Sequence, residues 1–118
     1  TGYLHPEKPE RLSAITTALK AAEFASQIEW RSPTPVDKRL LKPLLLEVHT
    51  ENYIQKVQEI ASSGGGFLDT DTAVSPRSYD VALLAVSAWL DGVDAVLETG
   101  NPAFVMARPP GHHAEKDY

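Results

Sequence analysis

The sequence predicts an α/β fold, and three observations carry that prediction. Residues 103–107, AFVMA, form a continuous apolar run of strand length, the pattern of a parallel strand buried on both faces. Three longer segments, about 9–25, 51–62 and 75–99, repeat apolar residues at the three- and four-residue spacing of helices. RPPGHH (108–113) follows the apolar run directly. In open parallel sheets, ligand sites gather in loops at the carboxyl ends of strands, and this loop has that position.

Pro9 suits the first turn of a helix, where its missing N–H costs nothing, and Leu12, Ile15, Leu19 and Ala22 supply the apolar face of a helix over about 9–25. IEWRSPTPV (28–36) has too much proline for a helix, and 28–31 reads as a short edge strand. DKRLLKPLLLEVHT (37–50) predicts a short helix capped by Asp37 and redirected at Pro43, with Thr50 placed to cap the next. That next helix, about 51–62, buries Tyr53, Ile54, Val57 and Ile60 and ends at three glycines, 64–66. GGGFLDTDTAVSP (64–76) carries no period of either kind and reads as a long loop. Ser75 and Pro76 then form an N-cap and first turn for a helix running to about Thr99, with Leu83, Val86, Leu90, Val93 and Leu97 in one stripe joined by Trp89, and Gly100 as its stop.

A chain of 118 residues fits one modest domain. With 42% hydrophobic and 23% charged residues it has a globular balance, far from that of disorder. The net charge of −5, from 16 acidic against 11 basic residues, gives no support to a nucleic-acid partner, which needs clustered cations. The absence of cysteine excludes disulfides, thiolate zinc sites and cysteine nucleophiles, and fits a reducing compartment. No apolar run approaches the roughly 18 residues of a membrane span and no signal pattern opens the chain, so the expectation is a cytoplasmic protein without a membrane partner. The chain opens at Thr1 in mid-motif, and the expectation is that 1–118 is a single partial domain with both ends cut.

The residues best suited to chemistry are His112 and His113. Histidine ionises near neutrality and can serve as base and acid in one cycle. Neighbours on a regular strand point to opposite faces, so two adjacent histidines share a pocket only if the backbone is irregular. Pro109, Pro110 and Gly111 suit that, the prolines by fixing φ and Gly111 by tolerating conformations that other residues avoid. A bare His-His pair is also compatible with a capped, hydrogen-bonded loop.

Context adds to this. RPPGHHA (108–114), preceded by DTDTAVSPRSYDVALLAVSAWLDGVDAVL (69–97), closely resembles the histone deacetylase family, on the side that includes class II deacetylases, bacterial deacetylase-like amidohydrolases and acetylpolyamine amidohydrolases. HPEKPERL (5–12) and VHTENYI (48–54) resemble the same family in the same order, so four motifs span nearly the whole chain. The resemblance implies an arginase-deacetylase α/β fold, here the N-terminal part of a parallel sheet flanked by helices. It implies zinc-dependent hydrolysis of an acetyl-lysine-like amide on an acetylated protein or a small acetyl-amine. Carried over by motif, His113 is the principal base and acid and His112 its proton-holding neighbour. Arg11 matches an arginine beside the family's internal channel, where a cation attracts released acetate. A first-turn arginine reaching water or a carboxylate is an equal alternative.

Phe67, Asp69 and Asp71 lie in the loop that in this family contributes to the active-site rim, and both aspartates could instead be turn-formers bonded to nearby N–H groups. They do not form an EF-hand, because Ala73 and a missing glycine break that pattern. His5 and His49 read as packing and hydrogen-bonding residues, and Tyr118 stands too close to the histidine pair to be the family's oxyanion tyrosine. The family's zinc ligands, an Asp-x-His pair and a further Asp, lie downstream of the histidine pair and are not among these residues. No metal ligand is therefore assigned, and zinc is expected only in a full-length enzyme, with the 118 residues alone inactive. The alternative is a half-fold binding or assembly module without catalysis. Either way an open sheet requires a cover, from the remaining half of the domain or from a second copy.

Overall fold

The computed structural model describes residues 6–70 and 72–118. Helix α1 (Glu10–Ala21) starts at Pro9, whose carbonyl accepts from the Leu12 and Ser13 amides, and ends where Ala22 turns extended. Leu12, Ile15 and Leu19, with Thr16, are its half-buried residues, and Ala22 just beyond it is half-buried too, on the face the periodicity predicts. The helix stops four residues short of the expected 25, and a 3-10 turn, Ala25–Gln27, follows.

The edge strand expected at 28–31 is not formed. Among the described residues no strand lies beside it to complete a ladder, and Glu29 and Arg31 pair with each other at the surface. The segment after it is instead tethered by side chains. The Thr34 amide and hydroxyl donate to the two oxygens of Asp91 at 2.6 and 2.8 Å, the Ser87 hydroxyl donates to the Thr34 carbonyl at 2.6 Å, and Arg39 donates to Asp91. Burial pushes the Asp91 carboxyl up, but the Thr34 amide and hydroxyl and the Arg39 guanidinium outweigh it and hold the group below the usual carboxylate range.

Asp37 caps nothing; it sits inside a 3-10 turn, Val36–Lys38. Pro43 lies in the first turn of α2 (Lys42–Leu46), so it opens that helix rather than redirecting one. Thr50 caps α3 (Glu51–Ser62) as expected, its hydroxyl accepting from the Tyr53 amide at 3.2 Å. Ile54 and Ala61 are buried on the inner face of α3, with Tyr53, Val57 and Ile60 half-buried.

At the end of α3 the chain turns through Gly64 and Gly65, with φ of +100° and +103°. A Cβ on Gly65 would meet the Val74 carbonyl oxygen at 2.5 Å, so only glycine fits this approach. The expected long loop is in fact a hairpin, β1 (Gly66–Asp69) antiparallel to β2 (Thr72–Val74). Strands of four and three residues are too short to show a period.

Helix α4 (Ser78–Thr99) begins later than predicted, because Ser75 bonds Ser78 through backbone and side chain and holds 75–77 in a turn. Gly100, at φ +74°, closes it. The core is small: Leu41, Ile54, Ala61 and Val74, with Ser87 fully buried. Of the predicted α4 stripe, Leu83, Val86 and Leu90 are half-buried, but Trp89 is 60% and Leu97 79% exposed. The radius of gyration, 15.8 Å, exceeds the roughly 13.5 Å of a compact chain this long, as an open apolar face requires.

The parallel strand expected at 103–107 is likewise not formed among the described residues, whose sheet is the two-stranded hairpin alone. A parallel strand exists only when a neighbour pairs with it, and none among the described residues does. The apolar run instead lies against α4. A Cβ on Gly92 would meet Cγ2 of Val105 at 2.6 Å, so Gly92 is what lets the segment approach, while Phe104 remains 72% exposed. No helix among the described residues is long and apolar enough to cross a membrane.

Candidate active site

The segment crossing α4 at Gly92 delivers Arg108 and the histidine loop, and its first anchor is ionic. Arg108 grips Glu7 with two nitrogens: Nε donates to both carboxylate oxygens at 2.9 and 2.8 Å and Nη2 to Oε2 at 2.6 Å. Arg11 donates to Oε1 of the same carboxylate at 2.9 Å, one turn along the chain. Hydrogen bonds from Arg108 hold the Glu7 carboxyl below its usual range despite partial burial, and Glu7 raises the Arg108 guanidinium in turn. Of the two roles open for Arg11, the geometry is that of the first-turn arginine on a carboxylate.

Beyond Arg108, whose peptide to Pro109 is cis, the chain makes a turn in which the Ala114 amide donates to the Gly111 carbonyl. The imidazoles of His112 and His113 lie on the same side of this loop, with centroids 4.2 Å apart and planes tilted by 48°. Alternation along a strand would separate them, and the irregular backbone brings them together. Both rings are exposed. Gly111 departs from expectation. Its φ is not positive, and a Cβ there would meet nothing within 4 Å, so the loop as it stands does not need glycine at this position.

The downstream side of the loop is fastened to two other motifs. The Thr50 amide donates to the Lys116 carbonyl at 3.0 Å and the Thr50 hydroxyl to Asp117 at 2.9 Å, joining the loop to the start of α3. The Tyr118 hydroxyl donates to Asp69 at 2.6 Å, joining it to the end of β1. Asp69 thus accepts from a phenol. Tyr53 stands close by, its phenol pushed up by burial and then by the Asp69 carboxylate. Phe67 is exposed on β1, and Asp71 and His5 lie outside the described residues. His49 packs on Tyr53 at a centroid distance of 5.1 Å, with its Nδ1 buried and unbonded among the described residues.

Sequence reasoning passed over Glu7 and Arg108, the pair that ties the first motif to the last. The signal was present as an acid and an arginine inside two motifs, but nothing in a single sequence pairs residues 101 positions apart. Of the surface concavities, one is lined by Leu46–Glu51 and Lys116, near the loop's far end rather than at the imidazoles. Among the described residues no three His, Asp or Glu side chains converge on one point, so they do not by themselves fit a zinc cage.

The loop and the three residues that fasten its two ends, Glu7, Thr50 and Asp69, are spread along a sequence whose residues 5–118 match the histone deacetylase domain. The chain belongs to the histone deacetylase family. It is 54% identical to an uncharacterized protein of Synechocystis over 97% of this chain and 37% of that one. It is 32% identical to a histone deacetylase-like amidohydrolase of Pseudomonas aeruginosa over 96% of this chain and 29% of that one. The crystal structure of the HDA15 HD domain superposes with a TM-score of 0.71 at 28% identity, covering 97% of this chain and 32% of that chain. The histone deacetylase fold is thereby supported, although the described residues contribute helices and a hairpin and no parallel sheet. The chain spans about a third of the length of these relatives.

Proposed function

We propose that this chain supplies the proton-transfer histidines and part of the pocket wall of a cytoplasmic, zinc-dependent deacetylase. Its substrates are acetyl-lysine-like amides on proteins or small acetylated amines. The observation that carries the reading is that three of the deacetylase-like motifs, through Glu7, Thr50 and Asp69, fasten Arg108 and residues 116–118 on either side of the fourth, whose loop sets two imidazoles 4.2 Å apart. Zinc would be held by residues other than those described and, when bound, would polarise the acetyl carbonyl.

In this reading His113 takes a proton from the attacking water as its oxygen bonds to the acetyl carbon, and returns it to the amine nitrogen as the C–N bond breaks. His112, beside it, holds the compensating charge or proton. Asp69, on β1, orients the substrate backbone or a cationic side chain, a role suited to the net negative charge of the chain.

The 118 residues alone bind no catalytic zinc and turn over nothing in this account. Their exposed apolar face, with Trp89, Leu97 and Phe104, is covered by the rest of the catalytic domain. The same exposed face favours a second reading, an assembly module that dimerises without catalysis. The test is release of acetate by the intact protein from an acetyl-lysine peptide and an acetylated polyamine, with and without a zinc chelator. Chelator-sensitive release from either supports the deacetylase. No release from either, together with a dimer by light scattering, supports the module.

A further inference from the structure

His112 and His113 are exposed and their ring contact is with each other, so their position depends on the two ends of the loop that carries them. The downstream end is fastened at Thr50 and Asp69. The upstream end is fastened by Arg108, four residues before His112. We propose that Glu7 is a positioning residue for this loop: by gripping Arg108 with both carboxylate oxygens it fixes the point from which 109–113 departs, and so sets where the imidazoles stand.

This inference rests on the reading of His113 as base and acid, and adds a residue that acts through another. Three features separate the pair from an ordinary surface ion pair. Both side chains are only 20% exposed. The contact is a fork, which fixes direction as well as distance and which a lysine could not reproduce. Glu7 is itself steadied by Arg11, so the grip has a fixed base at the start of α1.

Loss of the grip shifts the imidazoles rather than the substrate contacts, so it lowers kcat and leaves KM in place. A misplacement on the order of 1 Å costs up to about 100-fold in rate. The experiment compares the intact wild-type protein with Glu7→Gln, Arg108→Gln and the double variant, reading kcat, KM and amide hydrogen exchange in 108–118. The expected result is a kcat lowered about 10- to 100-fold in each single variant with KM within about twofold, a double variant no worse than either single one, and exchange at Ala114 and Glu115 at least about tenfold faster with α3 unchanged. Unchanged kcat per folded molecule, additive losses, or unchanged exchange in the loop overturns the proposal. If the wild-type protein hydrolyses no acetyl amide, the functional reading fails while the exchange measurement still decides whether Glu7 holds the loop. Should Glu7→Gln not fold, Glu7→Asp, which keeps the charge and shortens the reach, gives the same comparison with a smaller loss.

Discussion

Replacing Gly92 by alanine tests how the histidine loop is delivered. In the middle of a helix this change ordinarily stabilises by about 1 kcal/mol, because alanine restricts the unfolded chain and favours the helix. In α4 the new methyl would stand 2.6 Å from Cγ2 of Val105, inside contact distance. Valine is stiff at χ1 and cannot rotate the methyl aside cheaply, so the overlap costs roughly 1–3 kcal/mol. The overlap outweighs the propensity gain, and Gly92→Ala is expected to be destabilising by about 1 kcal/mol, a loss of roughly 4 °C in the thermal midpoint. In a Val105→Ala background the overlap is gone and the same substitution becomes stabilising by up to about 1 kcal/mol. Urea unfolding of the four proteins in the cycle reads the change of sign directly. If Gly92→Ala stabilises in both backgrounds, the 103–107 segment does not cross α4 at Gly92, and the route to Arg108 is wrong.

Three further outcomes follow from the same contacts. Asp91→Ala removes the carboxylate that receives Thr34 and Arg39, and a loss of about 2–3 kcal/mol is expected by urea unfolding, typical of charge-assisted bonds at a part-buried site; a loss near zero refutes the tether. Thr50→Ala removes a helix cap and the bond to Asp117 together, so about 1–2 kcal/mol of stability should be lost along with protection of the 114–118 amides. Acid should weaken the protein through Glu7 and Asp91. Both carboxyls are held below their ordinary values of 4.5 and 3.8, so the stability they contribute is complete above those values and is lost as pH falls through the lower folded ones. Unfolding measured from pH 6 downward should show that loss below about 4.5, reduced in Glu7→Gln.

What the sequence revealed was decided by local physics. The Thr50 cap, the α3 span and the Gly100 stop were legible because each depends on a few neighbouring residues. The strands were not, because a strand is defined by a partner. Residues 103–107 have the composition of a buried strand but pair with no strand among the described residues, and 66–69 and 72–74 pair in pieces too short to show alternation. At the site, the proline and glycine around His112 and His113 made an irregular backbone legible, but not that it would bring the two rings together, and Gly111 itself is not under conformational demand. Glu7 and Arg108 were not readable, since their pairing is a product of the fold. Asp69 was nominated as a rim carboxylate, and its bond to Tyr118 shows a contact that residue type alone does not specify.

The most direct measurement is the kcat and KM of the intact protein for an acetyl-lysine amide, before and after His113→Ala, with His112→Ala alongside. If His113 moves the proton, its removal lowers kcat by roughly 100- to 10,000-fold, with KM little changed and a smaller loss for His112. Retention of kcat within a few-fold in His113→Ala would contradict the account.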